Sequence, residues 1–170
     1  MVLEKMATPQ HISKPAVAKP IIKGCPSDCG LCEFHSAKIQ LPVLSITNDC
    51  NLNCPICFTY NRLDMKYYKP VPDMQKIVDH IVEQTDGVDL INITGGEPTL
   101  HPALFDILDT CRHPAIGRIT LNTNGIKIAR DIEFAKKIKA AGVQLVLSLD
   151  TFDSAKSKII HGKDITAKKR

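Results

Sequence analysis

Short apolar runs alternate along the chain with segments whose apolar residues recur at helical spacing. Residues 41–47, 88–94, 118–122 and 143–149 read as strands. Between them, residues 74–84 place Met74, Ile77, Val78, Ile81 and Val82 on one helical face. Residues 102–111 carry Leu104, Phe105, Ile107 and Leu108 in the same way. A third helix is predicted over 130–141, with Ile132, Ala135 and Ile138 three apart and Gly142 placed to stop it. The fourth strand is nearly all apolar, so it is expected to be covered on both faces. Strand and helix in alternation predict βα units and a parallel sheet. A closed eight-fold barrel takes about 250 residues. Four units therefore predict an α/β fold that is a partial (β/α) barrel.

The regular pattern starts only at residue 41. Residues 1–23 contain Pro9, Pro15 and Pro20 without a sustained period and are expected to be a flexible lead-in. Residues 24–40 are too rich in cysteine and too poor in apolar residues to build a core, which predicts a metal-binding segment. Residues 41–170 then form the N-terminal part of the barrel. The last residues fall where a further helix would be under way, so a truncated sequence is the expectation.

Composition narrows the class. With 170 residues, 44% hydrophobic and 24% charged, the chain suits one soluble globular domain. No run approaches the roughly 18 to 20 apolar residues of a transmembrane helix, and the N-terminus has no apolar signal core. A cytoplasmic protein is expected. The net charge of +4 is spread out apart from Lys168, Lys169 and Arg170, and gives no argument for nucleic acid.

Seven cysteines without a secretory signal point to metal or redox chemistry. Cys50, Cys54 and Cys57, with gaps of three and two residues, directly follow the first strand. Iron–sulfur clusters are held by thiolates, and three on a short loop leave one iron of a cubane open to chelate a small molecule. A structural zinc site is the competing reading of the same triplet. Gly95, Gly96, Glu97 and Pro98 end the second strand, combining close backbone approach with an acid. Asn122 ends the third strand, ahead of a Thr123, Asn124, Gly125 turn signal; Ser148 and Asp150 end the fourth. All these groups fall at the carboxyl ends of strands, the face on which βα barrels build their sites. Cys111 reads as a buried structural thiol. His80, His101, His113 and His161 stand singly and read as structural, while Met65, Tyr67 and Tyr68 follow the cysteine loop without a forced role.

The cysteine triplet, the Gly-Gly-Glu-Pro segment and the strand-end Ser-Leu-Asp together resemble the radical S-adenosylmethionine (radical SAM) superfamily. The resemblance implies a 4Fe–4S cluster on Cys50, Cys54 and Cys57. It also implies S-adenosylmethionine bound through its amino group by Gly95, Gly96, Glu97 and Pro98, and through ribose or carboxylate by Ser148 and Asp150, with Asn122 joining them. The implied activity is reductive cleavage of S-adenosylmethionine to a 5′-deoxyadenosyl radical for C–H activation, fed by an electron donor such as flavodoxin or ferredoxin.

Cys25, Cys29 and Cys32 repeat the same spacing ahead of the first strand. A second iron–sulfur cluster, or zinc with His35 as fourth ligand, are the two readings left open. Residues 24–150 as a whole are similar to the group containing tetraether lipid synthase and dihydro-hydroxymethylpterin methyltransferase. That likeness implies C–C bond formation or methylation on a lipid or small-molecule substrate. The chain departs from the group in having no rubredoxin-like module before Gly24 and nothing beyond the fourth strand and its sequel. Alternatives are another radical SAM maturase acting on a peptide or cofactor precursor, and a non-catalytic zinc or iron–sulfur protein.

Overall fold

The computed structural model describes residues 39, 41–55, 57–58, 65–85 and 87–166. The expected lead-in, Cys25, Cys29, Cys32 and His35 lie outside the described residues. Four strands, β1 (Val43–Ser45), β2 (Ile91–Thr94), β3 (Ile119–Thr123) and β4 (Gln144–Leu147), form one parallel sheet in the order β1-β2-β3-β4. The sheet is open. Register pairs Leu44 with Ile93, Ile93 with Leu121, and Leu121 with Leu145. Strand alternation therefore puts Ile91, Ile93, Ile119 and Leu121 on one face, and Asn92, Thr94, Thr120 and Asn122 on the other.

The apolar face is covered by helices. Helix α1 (Val71–Glu83) starts after an extended Pro70, with Pro72 in its first turn where a missing N–H costs nothing and Asp73 facing the positive helix end. It buries Met74, Val78 and Ile81, each worth about 2 kcal/mol relative to exposure. Helix α2 (Leu104–Thr110) adds Leu104, Ile107 and Leu108 to the same core, followed by Cys111. Burial pushes the Cys111 thiol up to about 12, which leaves it inert, as expected.

The fold corrects one expectation, a fourth strand covered on both faces, and refines another. The helix predicted over 130–141 is α4 (Ile132–Ala140), and a short helix that was not predicted, α3 (Ile126–Arg130), precedes it. Asp131 adopts an extended backbone and its carboxylate accepts from Phe134 N at 2.9 Å, so it caps α4 instead of continuing a helix. Strand β4 is exposed along its whole length, with Leu145, Val146 and Leu147 each more than 40% accessible. It pairs with β3 on one side only, and no described element covers its faces. A further helix, α5 (Ser154–His161), begins at Asp153, which accepts from Lys156 N at 2.9 Å, and ends on a left-handed Gly162.

His101 fastens the start of the α2 turn to the segment before α1. Its Nε2 lies 3.1 Å from Lys69 O, its Nδ1 accepts from Ala103 N at 3.1 Å, and Tyr68 packs edge-on at 5.5 Å. Burial holds its pKa below the ordinary 6.5, outweighing the Lys69 carbonyl. A depressed folded value means that stability from this residue is full above the unfolded value and falls as pH drops toward the folded one. Urea midpoints should decline between pH 7.5 and 5.5 in the parent chain and decline less in His101→Gln. Equal slopes would show that His101 does not contribute to the decline.

Candidate active site

The polar sheet face and the strand ends open onto a cavity of about 310 Å³. Its walls come from every strand: Cys50, Cys54 and Cys57 after β1, Gly95, Gly96 and Glu97 after β2, Asn122, Thr123 and Asn124 from β3 and its turn, and Ser148 and Asp150 after β4. Ile160 and His161 of α5 close another side.

The loop carrying the cysteines is pinned where it leaves the sheet. Thr47 and Tyr68 form an antiparallel bridge, the Thr47 hydroxyl donates to Tyr67 O at 2.7 Å, and Asn48 Oδ1 accepts from Tyr67 N at 2.6 Å. Next to Cys50, the Asp49 carboxylate accepts from the Tyr68 hydroxyl at 2.6 Å and from Lys66 at 3.0 Å. Burial alone would raise the Asp49 pKa; the Tyr68 hydroxyl and the Lys66 ammonium together outweigh it and hold the acid below its ordinary value. Tyr68 therefore braces the cysteine loop from behind, and neither it nor Met65 or Tyr67 is among the cavity walls.

The glycine segment docks onto that same loop. Gly96 N donates to Thr47 O and Glu97 N to Asp49 O, both at 2.7 Å. Glu97 is 1% exposed, yet its carboxylate has four donors: Thr99 N at 3.1 Å, Thr99 Oγ1 at 2.6 Å and Thr123 Oγ1 at 2.7 Å on one oxygen, Asn124 N at 2.7 Å on the other. Pro98 is buried in the short 3-10 turn Pro98–Leu100 and is not among the cavity walls.

Asn124 joins three parts of the site, which the turn signal alone does not disclose. Besides its backbone bond to Glu97, its Nδ2 donates to Asn51 Oδ1 at 2.7 Å and its Oδ1 accepts from Ile126 N at 3.0 Å, starting α3. Asn122 Oδ1 is the contrasting case: it is buried at the cavity and has no hydrogen-bond partner among the described residues. Such an acceptor is costly unless something donates to it.

His161 departs from the structural reading of a single histidine. It is 5% exposed, lines the cavity, and sets Nδ1 3.8 Å from Cys54 Sγ and Nε2 3.4 Å from Asp150 Oδ2. Among the described residues no three His, Cys, Asp or Glu side chains converge as the ligands of one metal ion do. The sulfurs of the triplet instead share the cavity with Asn122, Ser148 and Asp150.

These features define a parallel βα half-barrel with a cofactor-sized cavity at the carboxyl ends of its strands. The chain belongs to the radical SAM superfamily, whose profile matches residues 44–170. It is 33% identical over 159 residues to 7,8-dihydro-6-hydroxymethylpterin dimethyltransferase of Methanocaldococcus jannaschii, covering 92% of this chain and 31% of that protein. It is 33% identical over 123 residues to a probable GTP 3′,8-cyclase of Pyrococcus abyssi, covering 72% and 38%. Among solved structures it resembles Streptococcus suis SuiB bound to precursor peptide SuiA, with a TM-score of 0.58 at 29% identity over 75% of this chain and 28% of that one. It also resembles anSMEcpe with bound AdoMet, with a TM-score of 0.55 at 27% identity over 75% and 36%. The chain thus spans about a third of the length of the curated relatives it matches.

Proposed function

We propose that Cys50, Cys54 and Cys57 hold a 4Fe–4S cluster and that S-adenosylmethionine binds beside it, so that the chain provides the radical-generating half of a C–H-activating enzyme. The observation carrying this reading is the cavity itself, where a cysteine triplet and a buried amide oxygen of Asn122, without a partner among the described residues, face the same space. The residues fit both groups: thiolates are the ligands iron–sulfur clusters require, and the Asn122 oxygen suits a hydroxyl or amine donor of the second ligand. When bound, the pair supplies one-electron reductive cleavage of the sulfonium.

The protein's part is positioning. Asn122, Ser148 and Asp150 contact S-adenosylmethionine from the β3 and β4 side, and the segment Gly95, Gly96 and Glu97 contacts its amino group, with the buried Pro98 shaping the turn behind it. Because the Glu97 carboxylate already has four donors, that segment acts through its backbone while Glu97 keeps the turn in shape. Ile160 and Leu52 exclude water from one side of the cavity.

Methyl or one-carbon transfer to a small molecule, a pterin being the first to try, is the finer reading. The alignment with the pterin dimethyltransferase leaves about 14 residues unmatched (8% of 170), too few to omit residues 25–32 from an end, whereas the GTP cyclase match leaves about 48 (28%). Cys25, Cys29 and Cys32, which repeat the three-gap, two-gap spacing of Cys50, Cys54 and Cys57, are read as holding a second cluster or a zinc ion. We place the enzyme in the cytoplasm, reduced by a flavodoxin or ferredoxin; no helix among the described residues is long and apolar enough to cross a membrane.

The test is iron, sulfide and zinc content after anaerobic reconstitution, for the parent chain and for a Cys50→Ala, Cys54→Ala, Cys57→Ala variant. The parent should bind iron and, with dithionite, convert S-adenosylmethionine to 5′-deoxyadenosine; the variant should lose one cluster's iron and all cleavage. Added 7,8-dihydro-6-hydroxymethylpterin deuterated at its carbon-bound positions should pass deuterium to 5′-deoxyadenosine, read by mass. A parent that binds zinc and no iron sinks the reading.

A further inference from the structure

Helix α5 ends against the cysteine loop. Gly162 has a φ of +72°, and a Cβ there would meet Asn53 O at 2.8 Å, so the chain leaves the helix in close contact with the loop backbone. The Lys163 ammonium donates to Asn51 O. Ile165, 2% exposed, packs with Leu52 and Ile126, and Cys50 and Cys54 lie against that small apolar group. The segment 161–165 is therefore a strap across the loop, fixed at several points, and His161 is held by it in a buried position beside one of the three sulfurs.

We propose that His161 is a positioning residue that donates a hydrogen bond from Nδ1 to the Cys54 sulfur and thereby raises the reduction potential of the cluster. The inference rests on the proposed function, in which the triplet holds a cluster. A metal-bound thiolate offers only lone pairs, so a ring nitrogen 3.8 Å from it interacts favourably by carrying the hydrogen. Nε2 lies 3.4 Å from Asp150 Oδ2, so the ring is held between the loop sulfur and the residue that follows β4. Reduction adds negative charge that spreads onto the cysteine sulfurs, and a donor aimed at one of them stabilises the reduced state more than the oxidised one. The donor comes from a side chain 107 residues away from Cys54 in sequence.

The test compares the reconstituted parent, His161→Leu and His161→Asn by iron content and by redox titration followed by electron paramagnetic resonance. The asparagine amide nitrogen sits near the position of Nδ1 and keeps a donor. With iron content equal, His161→Leu should shift the reduction equilibrium about tenfold toward the oxidised cluster, about 59 mV for a one-electron couple, with His161→Asn between it and the parent. Equal potentials in all three, or an asparagine variant no different from leucine, overturn the proposal. If His161→Leu does not fold, parent protein labelled with ¹⁵N-histidine decides: a ¹⁵N hyperfine coupling to the reduced cluster, lost in His161→Asn, is expected, and its absence refutes the bond. A parent that binds no iron is a different failure, that of the cluster reading itself.

Discussion

Gly95→Ala should lower the unfolding free energy by about 4 kcal/mol, a large part of the stability of a domain this size. Gly95 has a φ of +144°, a conformation that side chains with a Cβ rarely adopt, and an added Cβ would stand 2.4 Å from Thr47 O and 3.1 Å from Thr47 N. Both obstructing atoms belong to the backbone at the end of β1, where no side-chain rotation relieves them. The chain would have to part β1 from the β2 turn, breaking the 2.7 Å bond from Gly96 N to Thr47 O on the way. Gly142 supplies the control: its φ is +64°, but a Cβ added there would meet nothing within 4 Å. Gly142→Ala should therefore cost only the left-handed backbone penalty, about 1 kcal/mol. Urea denaturation of the two variants beside the parent measures the difference. Similar midpoints would mean that the close approach of the β2 turn to Thr47 does not exist in solution.

The contrast between those glycines also shows which parts of the site are written locally in the sequence. Strand positions followed from apolar runs, and α1 from the spacing of Met74, Val78 and Ile81, because those patterns reflect burial by one neighbouring layer. The cysteine triplet, the glycine pair, Asn122, Ser148 and Asp150 each occupy a strand end, and parallel topology brings all strand ends of one kind to one side of the sheet. Local pattern fails where the outcome depends on what lies next door. The apolar run of β4 reports a preference for cover that no described neighbour supplies. Asp131 sets the start of α4 one residue after itself because its carboxylate finds Phe134 N, a competition that side-chain periodicity does not record. His161 could not be singled out, since its partners Cys54 and Asp150 meet it only once α5 has folded back across the loop; the left-handed Gly162 beside it was the available hint. Glu97 was legible as a residue of the site, whereas its four donors come from the 3-10 turn after it and from the end of β3.

That arrangement makes Glu97→Ala the second large effect, a loss of about 3 to 5 kcal/mol. Truncation removes the acceptor for the backbone N–H groups of Thr99 and Asn124 and for the hydroxyls of Thr99 and Thr123, at a position where Glu97 is 1% exposed and Thr99 fully buried. Solvent has little route to replace the lost oxygens. Glu97→Gln preserves volume and one acceptor but turns an amide N–H₂ toward either Thr99 N with the Thr99 and Thr123 hydroxyls or Asn124 N, so it should cost about 1 to 3 kcal/mol. Neither backbone N–H can reorient, so the Gln oxygen takes the position with three donors and the Asn124 bond is the one lost. A double-mutant cycle checks this: Glu97→Gln with Thr123→Val should match the sum of the single effects within about 0.5 kcal/mol, because the Gln oxygen keeps the Thr123 contact. The loss also reaches the cysteines. Glu97 N donates to Asp49 O directly ahead of Cys50, and Asn124 Nδ2 holds Asn51 directly after it, so a relaxed Glu97 turn loosens the loop on both sides of its first cysteine. Iron retention during dialysis against a chelator should therefore decrease in the order parent, Glu97→Gln, Glu97→Ala. Glutamine and parent proteins with equal urea midpoints and equal iron retention would show that the carboxylate is not what holds the turn.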